Sequence, residues 1–308
     1  MKIVTLTVNP ALDKTTTVEF IKPESKLRCE SPTFEAGGGG INVSRALKKL
    51  GFESKAIYLS GGPIGMMMND ILAKENVLSD IIEIKDNTRE NFTVVKTSTN
   101  EQFRFGMPGP TVVEAEWKES LAKIEALEDV EYLIASGSLA PGMPEDYYAQ
   151  VAKIAKKKGI KVVLDTSGES LRLALEVGVH LIKPNINELR SFVGTDVLTD
   201  DDLRAAASEF IKSGKTDLMI VSLGEVGAKL FSIDETHHAI PPHRRKNSTV
   251  GAGDSMVAGT VLALSQNKPL NEVIKWGVAC GTAATMNNGT GLCRMEDVED
   301  LLQNITMH

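Results

Sequence analysis

Short apolar runs recur along the chain without polar interruption. Tyr132-Leu-Ile-Ala135, Val162-Val-Leu164, Leu181-Ile182 and Leu218-Met-Ile-Val221 lack alternation, the pattern of strands buried on both faces. Between them the period changes to that of a helix. Over residues 200–213, Leu203, Ala206, Ala207, Phe210 and Ile211 follow i, i+3, i+4, i+7, i+8 spacing. Thr199 with Asp202 supplies the capping signal there, and Gly214 the stop. A second helix is predicted from Pro144 to the lysines at 156–158, just before Gly159. Cations suit the negative end of a helix dipole and need no ligand. This β-α-β rhythm predicts an α/β fold: a mostly parallel sheet, helices on both faces, and ligands at the carboxyl ends of the strands.

Two segments break the rhythm. Residues 15–35 and 89–107 are rich in Thr, Val and Phe with approximate alternation, and Thr97-Ser-Thr-Asn100 reads as a hairpin turn. They predict antiparallel strands too few to hold a core alone. Such strands would form a flap over the sheet edge or pair with another subunit. One domain over residues 1–308 is expected, with the inserted β lid at about 13–35 and 88–108.

Composition narrows the function classes. The 308 residues are 42% apolar and 24% charged, and 34 basic against 41 acidic residues leave a net charge of −7. A dedicated nucleic-acid binder would carry a basic field, so that class is set aside. Cys29, Cys280 and Cys293 form no C-x-x-C pair and read as free thiols of a reducing compartment. The apolar run at residues 3–8 continues into Asn9-Pro10 and reads as a first strand rather than a signal peptide. No window approaches a membrane span. A cytoplasmic location is expected. His237 and His238, among turn-like residues, are expected at the surface.

Three clusters carry chemistry. In Gly37-Gly38-Gly39-Gly40-Ile-Asn42 the glycines let a ligand approach the main chain, and a helix is predicted immediately after them. A flexible loop ahead of a helix is the plainer reading, and Asn42 stands where a dinucleotide fingerprint needs its third glycine. In Ser248-Thr-Val250-Gly251-Ala252-Gly253-Asp254, Gly-Ala-Gly opens a helix with an acid in its first turn. Asp254 as a mere cap would not need the flanking glycines. An anion hole with a carboxylate in its mouth is what phosphoryl transfer requires. In Lys183-Pro-Asn185-Ile-Asn-Glu188, Asn185 and Glu188 form either a capping box or a seat for hydrated Mg²⁺. Gly214-Lys215-Thr216 is not a P-loop, because Glu209 replaces its first glycine. H-E-x-x-H, G-x-S-x-G and Cys/His metal spacings are absent.

Taken in order, Thr7-Val-Asn-Pro-Ala-Leu-Asp13, the 37–42 glycine loop, Lys183-Pro-Asn-x-x-Glu188, Val221-Ser-Leu-Gly224 and Thr249-Val-Gly-Ala-Gly-Asp254 resemble the PfkB, ribokinase-like carbohydrate kinases over essentially the whole chain. Ser25-Lys-Leu-Arg-Cys29, Arg104-Phe-x-Met-Pro-Gly109 and Gly289-Thr-x-Leu-Cys293 are most similar to the minor bacterial 6-phosphofructokinases within that family. The resemblance implies a three-layer α/β/α fold with a small β lid and ATP-dependent phosphorylation of a ketohexose phosphate. Fructose 6-phosphate going to fructose 1,6-bisphosphate is expected. Tagatose 6-phosphate or fructose 1-phosphate are the alternative substrates, and a sugar-phosphate sensor without turnover is the alternative of another class.

It also implies roles. Asp254 is the general base, beside an anion hole of Gly251, Ala252 and Gly253. Asp13, Gly38, Gly39, Gly40 and Asn42 hold the sugar, while Arg89, Arg104 and Ser138 meet its phosphate and hydroxyls, with Lys26 adding charge from the flap. Lys183, Asn185, Ser222, Gly224, Gly227, Ser248 and Asn287 belong to the ATP side. Asn185 and Glu188 serve Mg²⁺, and Ser248, Val250, Ala284 and Gly289 serve a K⁺-like ion. A homodimer through the β lid is expected.

Overall fold

Strands that read as continuous apolar runs line up side by side in the computed structural model, which describes residues 2–194, 199–287 and 291–308. In chain order the first seven strands are β1 (Ile3–Thr7), β2 (Ala11–Val18), β3 (Thr33–Gly37), β4 (Lys55–Ser60), β5 (Leu78–Glu83), β6 (Arg89–Lys96) and β7 (Glu101–Phe105). The rest are β8 (Tyr132–Ser136), β9 (Lys161–Asp165), β10 (Val179–Ile182), β11 (Thr216–Ser222), β12 (Ala228–Phe231), β13 (Thr236–Ile240) and β14 (Thr306–Met307). Among the described residues, ten of them form one sheet in the order β14-β13-β12-β11-β10-β9-β8-β1-β4-β5. From β5 through β11 every neighbour is parallel, and β12 to β14 continue antiparallel.

The helices are α1 (Gly39–Lys49), α2 (Gly62–Lys74), α3 (Glu114–Glu125), α4 (Tyr147–Lys157), α5 (Gly168–Val177), α6 (Ile186–Val193), α7 (Asp200–Lys212), α8 (Ala252–Ser265), α9 (Leu270–Thr285) and α10 (Met295–Asn304). They fall into two layers. Val4, Leu6, Leu133 and Leu164 face Tyr147, Leu171 and Phe210 of α4, α5 and α7. The alternate strand residues Ile3, Ile134 and Val163 face Leu47 of α1 with Val257 and Val278 of α8 and α9. Both sheet faces are therefore dry, which is why the strands show no polar alternation. The apolar composition of α8, with ten consecutive buried residues from 255 to 264, fits a helix enclosed between the sheet and α9.

The β2, β3, β6 and β7 strands make a second sheet in the order β3-β2-β6-β7. Its hairpin turns at residues 97–100, as predicted, with Asn100 at φ 58°. The expectation of purely antiparallel pairing is corrected, since β2 and β6 run parallel over eight register pairs from Ala11↔Arg89 to Val18↔Lys96. Residues 19–32 are irregular and hold no strand. The register sorts the side chains by face. Asp13 lies across from Glu35 on one side and Asn91 on the other, while Lys14 lies between Phe34 and Phe92, which in turn faces Phe105.

Three smaller expectations are revised. The helix expected at Pro144 starts at Tyr147, the intervening turn being closed by the Tyr147 N–H donating to the Pro144 carbonyl at 3.0 Å. The first helix after the glycine loop starts inside the loop, at Gly39. His237 and His238 are half-buried on β13 rather than in a surface turn. The α7 helix has the expected Thr199/Asp202 capping box, and Gly214 is left-handed at φ 73°.

Candidate active site

The chemistry-bearing residues lie where the parallel strands end. Asn9 follows β1, Ser138 follows β8, Asp165 ends β9, Lys183 follows β10 and Ser222 ends β11. In a parallel sheet these ends all open on one side. A cleft of about 410 Å³ there is lined by Ser138, Asp165, Thr166 and Glu188, and a larger hollow of about 780 Å³ opens beside it between α5 and α6.

Asp254 sits in the first turn of α8, whose N-cap Gly251 is left-handed at φ 74°. The first intrahelical bond runs from the Ser255 N–H to the Gly251 carbonyl at 2.9 Å. The N–H groups of Ala252, Gly253 and Asp254 precede that ladder and bring the positive end of the dipole with them. Gly253 is exposed, so this donor cluster is open to solvent at the helix start. Asn42 of α1 donates from Nδ2 to Asp254 Oδ2 at 2.9 Å, across 212 positions of sequence. Burial, reinforced by the charge of Asp165, lifts the Asp254 pKa to about 6, against the Asn42 hydrogen bond and the Lys183 charge.

Lys183 is buried, 7% exposed, and its ammonium lies 3.4 Å from Asp165 Oδ1. A side-chain carbon added at Gly253 would sit 3.4 Å from Lys183 Nζ. The ammonium thus lines the space next to the helix N-terminus. Burial opposes its charge, but Asp165, Asp254 and Glu188 outweigh that and hold its pKa above the ordinary lysine value. Lys183 stays cationic at neutral pH.

Asp13 projects over the glycine loop, where any side chain at Gly37 would collide with its carboxylate. Asn91 donates to Asp13 Oδ1 at 2.9 Å. Burial raises the Asp13 pKa, with Glu35 adding to it and Asn91, Arg104 and Arg89 opposing. Gly38, at φ 119°, makes the turn that only glycine adopts without strain. Thr7 then accepts the Ile41 N–H at 2.9 Å, fixing the start of α1. Beyond Gly38, the loop members Gly39 and Gly40 pack against Ser136 and the Leu6 carbonyl.

Arg89 donates to the carbonyls of Asn9 (2.9 Å), Met107 (3.0 Å) and Pro10 (3.4 Å). It ties the base of the small sheet to the end of β1. Arg104 is exposed on β7, and Ser138 accepts from Asn9 Nδ2 at 3.1 Å. Lys26 lies exposed in the 19–32 segment, and no hydrogen bond or ion pair joins it to these groups among the described residues.

On the opposite flank, Asn185 and Glu188 form a reciprocal capping box. Asn185 Oδ1 accepts the N–H groups of Asn187 and Glu188, and Glu188 Oε2 accepts the Asn185 N–H at 2.8 Å. The cap reading is therefore realised, and among the described residues no hydrogen bond takes the second Glu188 oxygen. Asn185 also bridges to Ser222, whose N–H donates to the Pro184 carbonyl at 3.1 Å. Gly224 and Gly227 bracket a short 3₁₀ turn, with φ of 65° and 88°. Ser248 Oγ accepts the Val250 N–H at 3.2 Å. The Ala284 carbonyl is taken by the Asn287 N–H, and Asn287 Nδ2 donates to Ala283 and Leu292 carbonyls. Gly289 lies outside the described residues.

The arrangement supplies a partly buried base, unpaired backbone donors at the start of its helix and a fixed cation beside them. Asp165 and Asn91 were not singled out from sequence. The signal for Asp165 was its place as the lone acid closing an apolar strand; Asn91 had none, being set by register.

The family model for pfkB family carbohydrate kinases matches residues 7–297. The chain is 42% identical over 302 residues to the ATP-dependent 6-phosphofructokinase isozyme 2 of Escherichia coli K12, covering 98% of each chain. It is 33% identical to the 1-phosphofructokinase of Bacillus subtilis 168, again over 98% of each. The crystal structure of phosphofructokinase-2 from Escherichia coli in complex with potassium superposes with a TM-score of 0.94 at 42% identity, covering 98% of each chain. The same enzyme in complex with fructose-6-phosphate gives 0.93 at 40% identity, with 98% of each chain covered. With the family model spanning nearly the whole chain and the fold agreeing with its solved members, this chain belongs to the pfkB family of carbohydrate kinases.

Proposed function

We propose that the chain phosphorylates fructose 6-phosphate on its C1 hydroxyl at the expense of ATP, with Asp254 as general base. The observation that carries this is the Asp254 carboxylate, raised to a pKa of about 6 at a helix N-terminus and hydrogen-bonded by Asn42. Such a base is ionised at neutral pH yet basic enough to accept a hydroxyl proton. The alkoxide oxygen forms its bond to the γ-phosphorus as the bond to ADP breaks, and Asp254 retains the proton. Charge spreading over the transferred group meets the 252–254 N–H groups and the Lys183 ammonium, both fixed beforehand.

Asp13 and the Gly38-Gly39-Gly40 turn would hold the sugar hydroxyls. Arg104, exposed on β7 and close enough to Asp13 to lower its pKa, would meet the 6-phosphate, since no hydrogen bond or ion pair of the described residues occupies it. Arg89, spent on three carbonyls, would act first by shaping the lid's base. Lys26, exposed in the 19–32 segment, would add positive charge from the lid.

Mg²⁺ fits the free oxygen of Glu188 next to Asp165, since this ion takes one or two carboxylates and keeps waters and phosphates for the rest. Once bound, it neutralises phosphate charge. A potassium-like ion would be held by the Ser248 and Val250 carbonyls, which no hydrogen bond of the described residues occupies. Ser222, Gly224, Gly227 and Asn287 line the nucleotide side in this reading. A homodimer would form through the outer face of the small sheet. No helix among the described residues is long and apolar enough to cross a membrane, and a cytoplasmic location fits the substrates.

Coupled ADP release measured with fructose 6-phosphate, tagatose 6-phosphate and fructose 1-phosphate tests the assignment. The highest kcat/KM is expected with fructose 6-phosphate. A higher value with either rival reassigns the sugar, and no ADP release with any of them defeats the kinase reading.

A further inference from the structure

Arg45 takes no part in the chemistry above, yet it is a guanidinium only 3% exposed. Its Nε and Nη2 grip both oxygens of Glu75, at the C-cap of α2, at 2.6 and 2.7 Å. Its Nη1 donates to the Ala36 carbonyl of β3 at 2.8 Å. Glu35 of β3 stands 3.7 Å from Nη2. These contacts fix the plane of a fork that has no freedom of its own. One donor direction remains, from Nη1 toward Asn42 Oδ1 at 3.5 Å, one helical turn back on α1.

That direction matters because an amide has two unlike ends. Asn42 can donate through Nδ2 or accept through Oδ1, and the choice decides whether it favours the ionised or the protonated form of the carboxylate it meets. We infer that Arg45 is a positioning residue for phosphoryl transfer: by engaging Oδ1 it holds Nδ2 of Asn42 toward Asp254 and so keeps the carboxylate in its ionised, accepting form. With the fork gone, the amide can turn so that Oδ1 accepts a hydrogen bond from protonated Asp254, which favours the acid. The inference rests on Asp254 being the base. The groups bearing on Asp254 are Asp165 of β9, Lys183 after β10, Asp13 of β2 and the Asn42 amide. Those bearing on Arg45 are Glu75, Glu35 and Asp13, with Lys49 near it on α1.

Arg45→Lys is the informative change, because it keeps the charge and removes the fork. The test measures kcat and KM from about pH 5 to 9 for the wild type, Arg45→Lys, Glu75→Gln, Asn42→Ala and each double variant with Asn42→Ala. For Arg45→Lys, kcat should fall about tenfold with the KM for ATP within about twofold. The acidic limb of the kcat/KM profile should move up by about one pH unit. In the Asn42→Ala background the same substitution should change kcat less than about twofold and leave the limb in place. Glu75→Gln, at a half-buried helix end, should move both readings in the same direction by less, and it carries the test should Arg45→Lys fail to fold. Equal losses in both backgrounds, or an unmoved limb, overturn the inference. A wild type without an acidic limb near pH 6, or an Asp254→Asn variant with ordinary turnover, instead overturns the base on which it rests.

Discussion

At the residue scale, Asp254 is held ionised at neutral pH against the preference of its surroundings. Its pKa in the fold, about 6, stands above the ordinary 3.8. A raised folded pKa means the native state binds the proton more tightly than the unfolded chain. The group is therefore least costly below about pH 4, and stability falls as pH rises through 6. Two units at about 1.4 kcal/mol each give a cost of up to about 3 kcal/mol at pH 7. Asp254→Asn should lower kcat by on the order of 10²–10⁴ and, at pH 7, raise Tm by about 5 °C. Calorimetry at pH 4 and pH 7 checks the second part: the gain should vanish at pH 4. An unchanged or lower Tm at pH 7 counts against the charged, buried carboxylate. Asp254 was legible in the sequence because Gly-x-Gly before an acid exceeds what a cap needs. Asp165 and Arg45 were not. Their partners, Lys183 and Glu75, are 18 and 30 positions away, and only the crossing of strands and helices brings them together.

At the scale of elements, helices with their own punctuation were readable and elements set by pairing were not. The capping box and left-handed glycine around α7 are local chemistry, so its bounds could be read from residues 199–214 alone. The parallel pairing of β2 with β6 joins segments more than 70 residues apart and leaves no local mark, so it was taken for antiparallel. The glycine loop shows a third case. Its need for glycine is sharpest at Gly38, where φ is 119° and a side-chain carbon would lie 2.7 Å from Thr7 Cγ2. Gly38→Ala should destabilise the fold by about 2 kcal/mol and lower kcat/KM for the sugar more than for ATP, since it displaces the start of α1 and with it Asn42. Denaturant unfolding with steady-state kinetics reads both, and a neutral substitution would show that the loop tolerates another path.

For the molecule as a whole, the small sheet has two unlike faces. Asp13, Asn91 and Arg89 share the one that serves the site, whereas Phe92 and Phe105 stack on the other with ring centroids 6.3 Å apart. Phe105 is 50% exposed and Phe103 38%, with Phe20 and Met107 also open. Aromatic side chains clustered in this way on a lone chain mark a docking face, and this is the face through which the homodimer proposed above would form. Light scattering should show a dimer for the wild type and a monomer for Phe105→Asp, which puts a charge at the centre of the apolar face. A dimer that persists would place the interface elsewhere.

The clasp of Arg89 on Asn9, Pro10 and Met107 sits at the end from which the parallel β2 and β6 both depart. Both strands therefore leave from a single fulcrum and run about 26 Å to a free tip. A tilt of about 10° there would swing the tip by about 4.5 Å and shift Asp13, two residues from the pivot, by about 1 Å. Breathing of this paddle would leave Asp13 almost stationary while the far end sweeps widely, so a hydroxyl held by Asp13 need not be released each time the lever moves.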